Sequence, residues 1–168
     1  MADIPRRHSL GNRLRQASEA TEKVLEKDLD KHDATTTQVD YLSIMDASKK
    51  PLTPGQLAKY TFRRQHSVSA QLSRMWRNGL VKKTRQTQDQ RVVKIGMTAK
   101  GKEHLGETRQ AGIGQARNLL ASALSDDEGQ QLDKLLKKVR DQALQRLGMQ
   151  AEPLPNTFDA ARFLADLT

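Results

Sequence analysis

At Gly79 the spacing of apolar residues changes from the helical period to the strand period, and at Thr98 it changes back. Before Gly79, Val68, Leu72, Met75 and Trp76 fall on one face of a 3.6-residue repeat, the pattern of an amphipathic helix. From Leu80 to Arg85 and from Val92 to Met97 the chain alternates instead, with Lys94 and Gly96 separating Val93, Ile95 and Met97. The polar, basic stretch Gln86 to Arg91 joins the two runs. The spacing predicts a two-stranded hairpin, or wing, set into an otherwise helical chain.

Helix signals surround this hairpin. Leu10, Leu14, Ala17, Val24, Leu25 and Leu29 predict an amphipathic helix over about residues 9 to 32. Thr37 is read as the cap of a second helix lined by Val39, Leu42 and Met45, which Lys49-Lys50-Pro51 ends. In Thr53-Pro54-Gly55-Gln56, Thr53 caps, Pro54 suits the first helical position and Gln56 completes a capping box. A short helix through Leu57, Ala58 and Tyr60 follows, then a basic turn, Phe62-Arg63-Arg64. The next helix runs from about Gln65 to Asn78 and stops at Gly79, a good left-handed cap.

Beyond the hairpin, Thr98 caps a long helix through Leu105, Ile113, Ala116, Leu119 and Leu120. Gly101, Gly106, Gly112 and Gly114 each cost it about 1 kcal/mol relative to alanine. Either this helix kinks near Gly112 or the glycines permit close packing. Ser125-Asp126-Asp127-Glu128 is a capping box for a last long helix with the stripe Leu132, Leu135, Val139, Ala143 and Leu147. Residues 148–155 read as a linker. Asn156 or Thr157 then caps a short helix carrying Phe158, Ala161 and Leu164.

Charge narrows the function. Between Lys49 and Lys102 there are 14 basic residues and one acid, Asp89, a net +13; the remainder holds 15 basic and 19 acidic residues, a net −4. The overall +9 therefore comes from one segment. A charge confined in this way suits a polyanion, because neutralising phosphates releases condensed counterions. The alternative is a solvated basic face.

The chain has no cysteine, which excludes disulfides, cysteine-ligated zinc and a thiolate redox switch. His8, His32, His66 and His104 show no metal-ligand spacing, so neither metal nor cofactor is expected. No apolar run approaches a membrane span, and the start has no apolar stretch behind its arginines; a cytoplasmic location is expected. Neither paired carboxylates, a Gly-rich phosphate loop nor a Ser/His/Asp arrangement argues for an enzyme.

The order helix, helix, turn, helix, strand, wing, strand is a winged helix-turn-helix, an architecture that places its second motif helix in the major groove of DNA. Opposite the apolar stripe, that helix carries His66, Ala70, Ser73, Arg74 and Arg77, with Ser67 at the edge. Small polar residues near its start suit base edges, and the arginines suit phosphates.

These residues resemble the multiple-antibiotic-resistance regulator (MarR) family of transcription factors. The resemblance lies in Leu52 to Ala58, His66 to Ser69, Arg74-Met75 and Asn78 to Val81, and continues from Asp89-Gln90-Arg91 into Met97 to Gly101. With the flanking helices it covers roughly residues 9 to 147. It implies a mostly α fold, with a winged helix-turn-helix lobe and two-stranded β-wing flanked by N- and C-terminal dimerisation helices. It implies a homodimeric repressor acting on a double-stranded, inverted-repeat DNA operator. By position, Gln65, His66, Ser67, Ser69, Ala70 and Arg74 would meet the major groove. Arg85 belongs to the same DNA-binding set. Asp89 and Arg91 fall on the Asp-x-Arg wing motif, where the arginine enters the minor groove and the aspartate holds it.

The chain departs from the pattern at Arg64, where a capping Ser or Thr is usual, and at Ala70, often polar. The resemblance also implies a small aromatic or anionic effector, for which Tyr41, Met45, His32 and His104 are available and none is singled out. Trp76 is read as core. The division expected is 1–35 as arm and dimerisation helix, 36–98 as DNA-binding lobe, 99–147 as C-terminal dimerisation helices, and 148–168 as linker and short helix. The rival function is a non-specific architectural nucleic-acid binder using the same basic block.

Overall fold

A computed structural model describes residues 4–85 and 93–149. The elements run α1 (Ile4–Leu29), a 3-10 turn (Asp30–His32), α2 (Thr36–Ser48), α3 (Pro54–Thr61), α4 (Gln65–Arg77), β1 (Val81–Arg85), β2 (Val93–Met97), α5 (Ala99–Ala123) and α6 (Asp126–Arg146). The fold is mostly α with a two-stranded wing, as the change of period at Gly79 predicts.

Local chemistry sets most boundaries. Thr53, Thr98 and Ser125 each accept a backbone N–H at the start of their helices, and Gln56 and Glu128 reach back to complete capping boxes. The start of α2 differs from the sequence reading. Its cap is Thr35, whose side chain accepts from the Gln38 N–H while Gln38 Oε1 accepts from the Thr35 N–H. Three consecutive threonines can each cap, and Gln38 decides between them because a capping box needs its glutamine at the third helical position. Lys49 ends α2 in a left-handed conformation.

The wing is antiparallel, with Val81 opposite Met97, Lys83 opposite Ile95 and Arg85 opposite Val93. Leu52 adds a single bridge to Ile95, exchanging backbone hydrogen bonds of 2.9 and 2.7 Å. The core gathers Leu29 from α1, Tyr41 and Leu42 from α2, Leu57 from α3, Val68, Leu72 and Met75 from α4, Val81 and Ile95 from the wing, and Leu105 from α5. α5 packs along both α1 and α2, so the winged lobe is seated on the long helices.

α5 runs unbroken from Ala99 to Ala123, past the position proposed for a kink. Close packing is the role of Gly101 alone among the glycines of α5 that are described: a Cβ there would overlap the Leu80 carbonyl, while Gly106 and Gly114 meet nothing within 4 Å. The linker and short helix expected after Gly148 fall, from residue 150 onward, outside the described residues.

Candidate nucleic-acid interface

The helix-turn-helix is α3, a tight turn and α4. Phe62 makes the turn at φ 53°, a left-handed conformation, and its N–H donates to carbonyls of α3. Arg63 N–H donates to the Ala58 carbonyl at 3.2 Å. α4 then starts at Gln65 without a side-chain cap, since Arg64 stands in the cap position with extended backbone and cannot accept a hydrogen bond. Val68, Leu72 and Met75 are buried against the core. That anchoring turns the other face outward.

On this outward face Gln65, His66, Ser67, Ala70, Arg74 and Arg77 are exposed, while Ser69 and Ser73 are half-buried at its margin. Arg74 makes a long contact to Gln71 at 3.5 Å and is otherwise available to a ligand. The face carries no carboxylate, because the chain has no acid between Lys49 and Gln88. Behind the turn, burial pushes the Asp40 carboxyl above its ordinary range, with Arg63 opposing the shift and Glu22 adding to it. Burial likewise raises the Tyr41 hydroxyl, with Arg63 again opposing the shift.

The C-terminal end of α4 is tied to the wing root. Gly79 adopts φ 73°, a conformation that favours glycine. Lys100 Nζ donates to the Asn78 carbonyl at 3.0 Å, and Thr98 Oγ1 donates to the Gly79 carbonyl at 2.6 Å. Lys100, one of the basic block, is thereby committed to capping a helix. Lys82, Lys83 and Thr84 of β1 are exposed. Arg85 ends that strand, opposite Val93. Asp89 and Arg91, the expected wing-tip pair, lie outside the described residues.

Trp76 corrects the sequence reading. It is not core but 50% exposed, with the Lys83 ammonium 4.5 Å from its ring centroid. Leu80, Val81 and Ile95 join Met75 in the buried core, and the indole is left outside. Of the side chains available to an effector, Tyr41 and Met45 are buried, His32 is exposed, and His104 is half-buried with its Nε2 unpartnered. Ser43 Oγ is buried and unpartnered too. Among the described residues there is no cluster of His, Asp or Glu suited to a metal, and no helix long and apolar enough to cross a membrane.

A capped first helix, a tight turn, a second helix with an acid-free polar face and a basic hairpin define a winged helix-turn-helix DNA-binding protein. The sequence profile of the MarR family matches residues 32–92, which span this motif. Over this lobe the chain is similar to the MarR family of winged helix-turn-helix, DNA-binding transcriptional regulators. Its fold is similar to a cysteine-to-serine variant of MarR from E. coli complexed with operator DNA, at 25% identity and a TM-score of 0.73, over 81% of this chain and 94% of that one. It is similar as well to MepR of S. aureus in a DNA complex, at 26% identity and a TM-score of 0.71, over 77% and 94% of the two chains. The organohalide-sensing regulator RdhR, in its 2,4-dichlorophenol-bound form, shares the fold at 24% identity and a TM-score of 0.75, over 82% and 81%. The sequence matches no curated protein.

Proposed function

We propose that this protein is a homodimeric repressor that binds an inverted-repeat operator and is released by a small aromatic or anionic effector. The observation that carries the reading is the outward face of α4, where small polar residues precede arginines and no carboxylate intervenes. Such a face suits base edges at one end and phosphates at the other. Gln65, His66, Ser67, Ser69, Ala70 and Arg74 are assigned to the major groove, and Arg85, Asp89 and Arg91 to the wing's contact with DNA.

The dimer is supported by apolar surface that a single chain leaves uncovered. Leu132, Leu135, Leu136 and Val139 of α6 are between 38% and 56% exposed, and Leu10 and Leu14 of α1 are exposed as well. Monomeric proteins rarely leave contiguous apolar patches of this kind open. In this reading residues 1–35 and 99–147 assemble the dimer, 36–98 form the DNA-binding lobe, and 148–168 are an appendage. The effector is supported by the phenol bound to RdhR, a relative in fold. A regulator of this type works in the cytoplasm, where its DNA is.

The test is a nuclease footprint on the DNA flanking the protein's own gene, with random DNA as competitor. Protection of one inverted repeat is the expected result. Uniform coating without a preferred site would replace the repressor with the architectural reading. Specific affinity should fall with salt at a log–log slope of roughly −6 to −9, from several Lys/Arg contacts in each of two lobes.

A further inference from the structure

We propose that Trp76 and Lys83 form a positioning pair that sets the angle of the β-hairpin against α4, so that both elements meet DNA in register. Trp76 is the one tryptophan of the chain. It projects from the last turn of α4, next to buried Met75, and half of its surface is exposed. Lys83 is the third residue of β1, and its ammonium sits 4.5 Å from the centre of the indole ring.

The register explains why the two meet. Val81 pairs with Met97 and Lys83 with Ile95, and directly opposed residues of a sheet share a face. Lys83 therefore lies on the face of Val81 and Ile95, both buried, directly across from Ile95 and two residues beyond Val81, and is itself exposed. The basic block offers it no carboxylate among the described residues. The indole supplies a partner instead: its negative face attracts the cation, and the ring covers the apolar stem of the lysine.

A brace at this point has a function. The hairpin is fixed at its root, where the Thr98 N–H donates to the Leu80 carbonyl, and on its β2 edge, where Leu52 bridges Ile95, while the Trp76–Lys83 contact holds the β1 edge. Further out it is a two-stranded ribbon, which has little stability by itself. A helix and a ribbon that must enter neighbouring grooves together lose affinity if one swings against the other, because that freedom has to be frozen on binding. The Trp76–Lys83 contact removes some of it beforehand. Neither residue needs to touch DNA for this.

The inference rests on the operator binding proposed above, and the unaltered protein separates the two. If it protects no specific site, the functional reading fails before the pair is tested. Given a footprint, affinity for that fragment is measured by anisotropy across salt for Trp76→Ala, Trp76→Phe, Lys83→Met, Lys83→Arg and the Trp76→Ala/Lys83→Met double variant. Loss of the pair should weaken binding roughly two- to fivefold. The double variant should be no weaker than the weaker single one, the salt slope should be unchanged in Trp76→Ala, and Trp76→Phe and Lys83→Arg should keep most of the affinity. Because the tryptophan is unique, its emission in DNA-free protein should shift in Lys83→Met while the thermal midpoint holds. An unshifted emission, or Trp76→Ala binding as tightly as the parent, overturns the proposal. A salt slope lowered by about 1 in Lys83→Met, with Trp76→Ala neutral, would make the lysine a plain phosphate contact and overturn it as well.

Discussion

Gly101, in the first turn of α5, lies so close to Leu80 that a Cβ would overlap the Leu80 carbonyl oxygen. The same carbonyl accepts from both the N–H and the hydroxyl of Thr98. One backbone oxygen at the root of the hairpin thus fixes where the long helix leaves the winged lobe. The glycine is needed for proximity, not for an unusual backbone angle.

Gly101→Ala should therefore destabilise the fold by about 1–3 kcal/mol, the usual cost of overpacking, even though alanine is the better helix former. The obstacle is backbone and cannot rotate away. Gly106→Ala is the internal control. Nothing lies within 4 Å of a Cβ there, so it should stabilise by about 1 kcal/mol through helix propensity. Chemical denaturation of the two variants should move in opposite directions; equal shifts would remove the packing argument.

Val139→Glu tests the dimer. Val139 is 56% exposed on α6 and contributes nothing to the core of the single chain. A charge there should leave the lobe folded, yet a buried unpaired carboxylate at a subunit interface is strongly unfavourable. Sedimentation should show monomers, and operator binding should fall with them. A Val139→Glu dimer of full affinity would place the interface elsewhere.

The extent to which the sequence discloses the fold follows from what each signal depends on. Capping at Thr53, Thr98 and Ser125 depends on residues three positions apart, so it is visible locally, and the outward face of α4 follows from periodicity alone. Thr35 is misread as Thr37 because the choice lies with a glutamine that serves only one of three equivalent threonines. Trp76 is misread for a different reason. Its place on the flank of the stripe says apolar, but the core around Met75 includes Leu80, Val81 and Ile95, all three from beyond the helix. The leucines of α6 are legible as a stripe, while the single chain leaves that stripe exposed. Arg85, Asp89 and Arg91 rest on the resemblance.

The start of α6 makes stability depend on acidity. Hydrogen bonds from the Ser125 N–H and hydroxyl hold the Glu128 carboxyl below its ordinary value of 4.5. A group whose folded value is depressed contributes stability above its unfolded value and loses it as pH falls through the folded one. Glu128→Gln keeps a capping box but has no charge to lose. The parent should melt higher than this variant at pH 7, and the gap should narrow as pH falls past the ordinary value of 4.5 and close only below the depressed folded value, where both side chains are neutral. A gap independent of pH would show that the carboxylate is not what stabilises this end.

Asp89 and Arg91 provide the sharpest test of the wing. Arg91→Ala removes the side chain assigned to the minor groove, so specific binding should weaken by about 1–3 kcal/mol. Asp89→Ala makes the protein more positive, and simple electrostatics then requires tighter binding to phosphate. If Asp89 instead holds Arg91 in its binding geometry, removing it weakens binding despite the gain in charge. The two accounts differ in sign, so a titration at fixed salt decides between them. Tighter binding by Asp89→Ala would mean that the aspartate does not position the arginine, and the assignment of the wing would have to be given up.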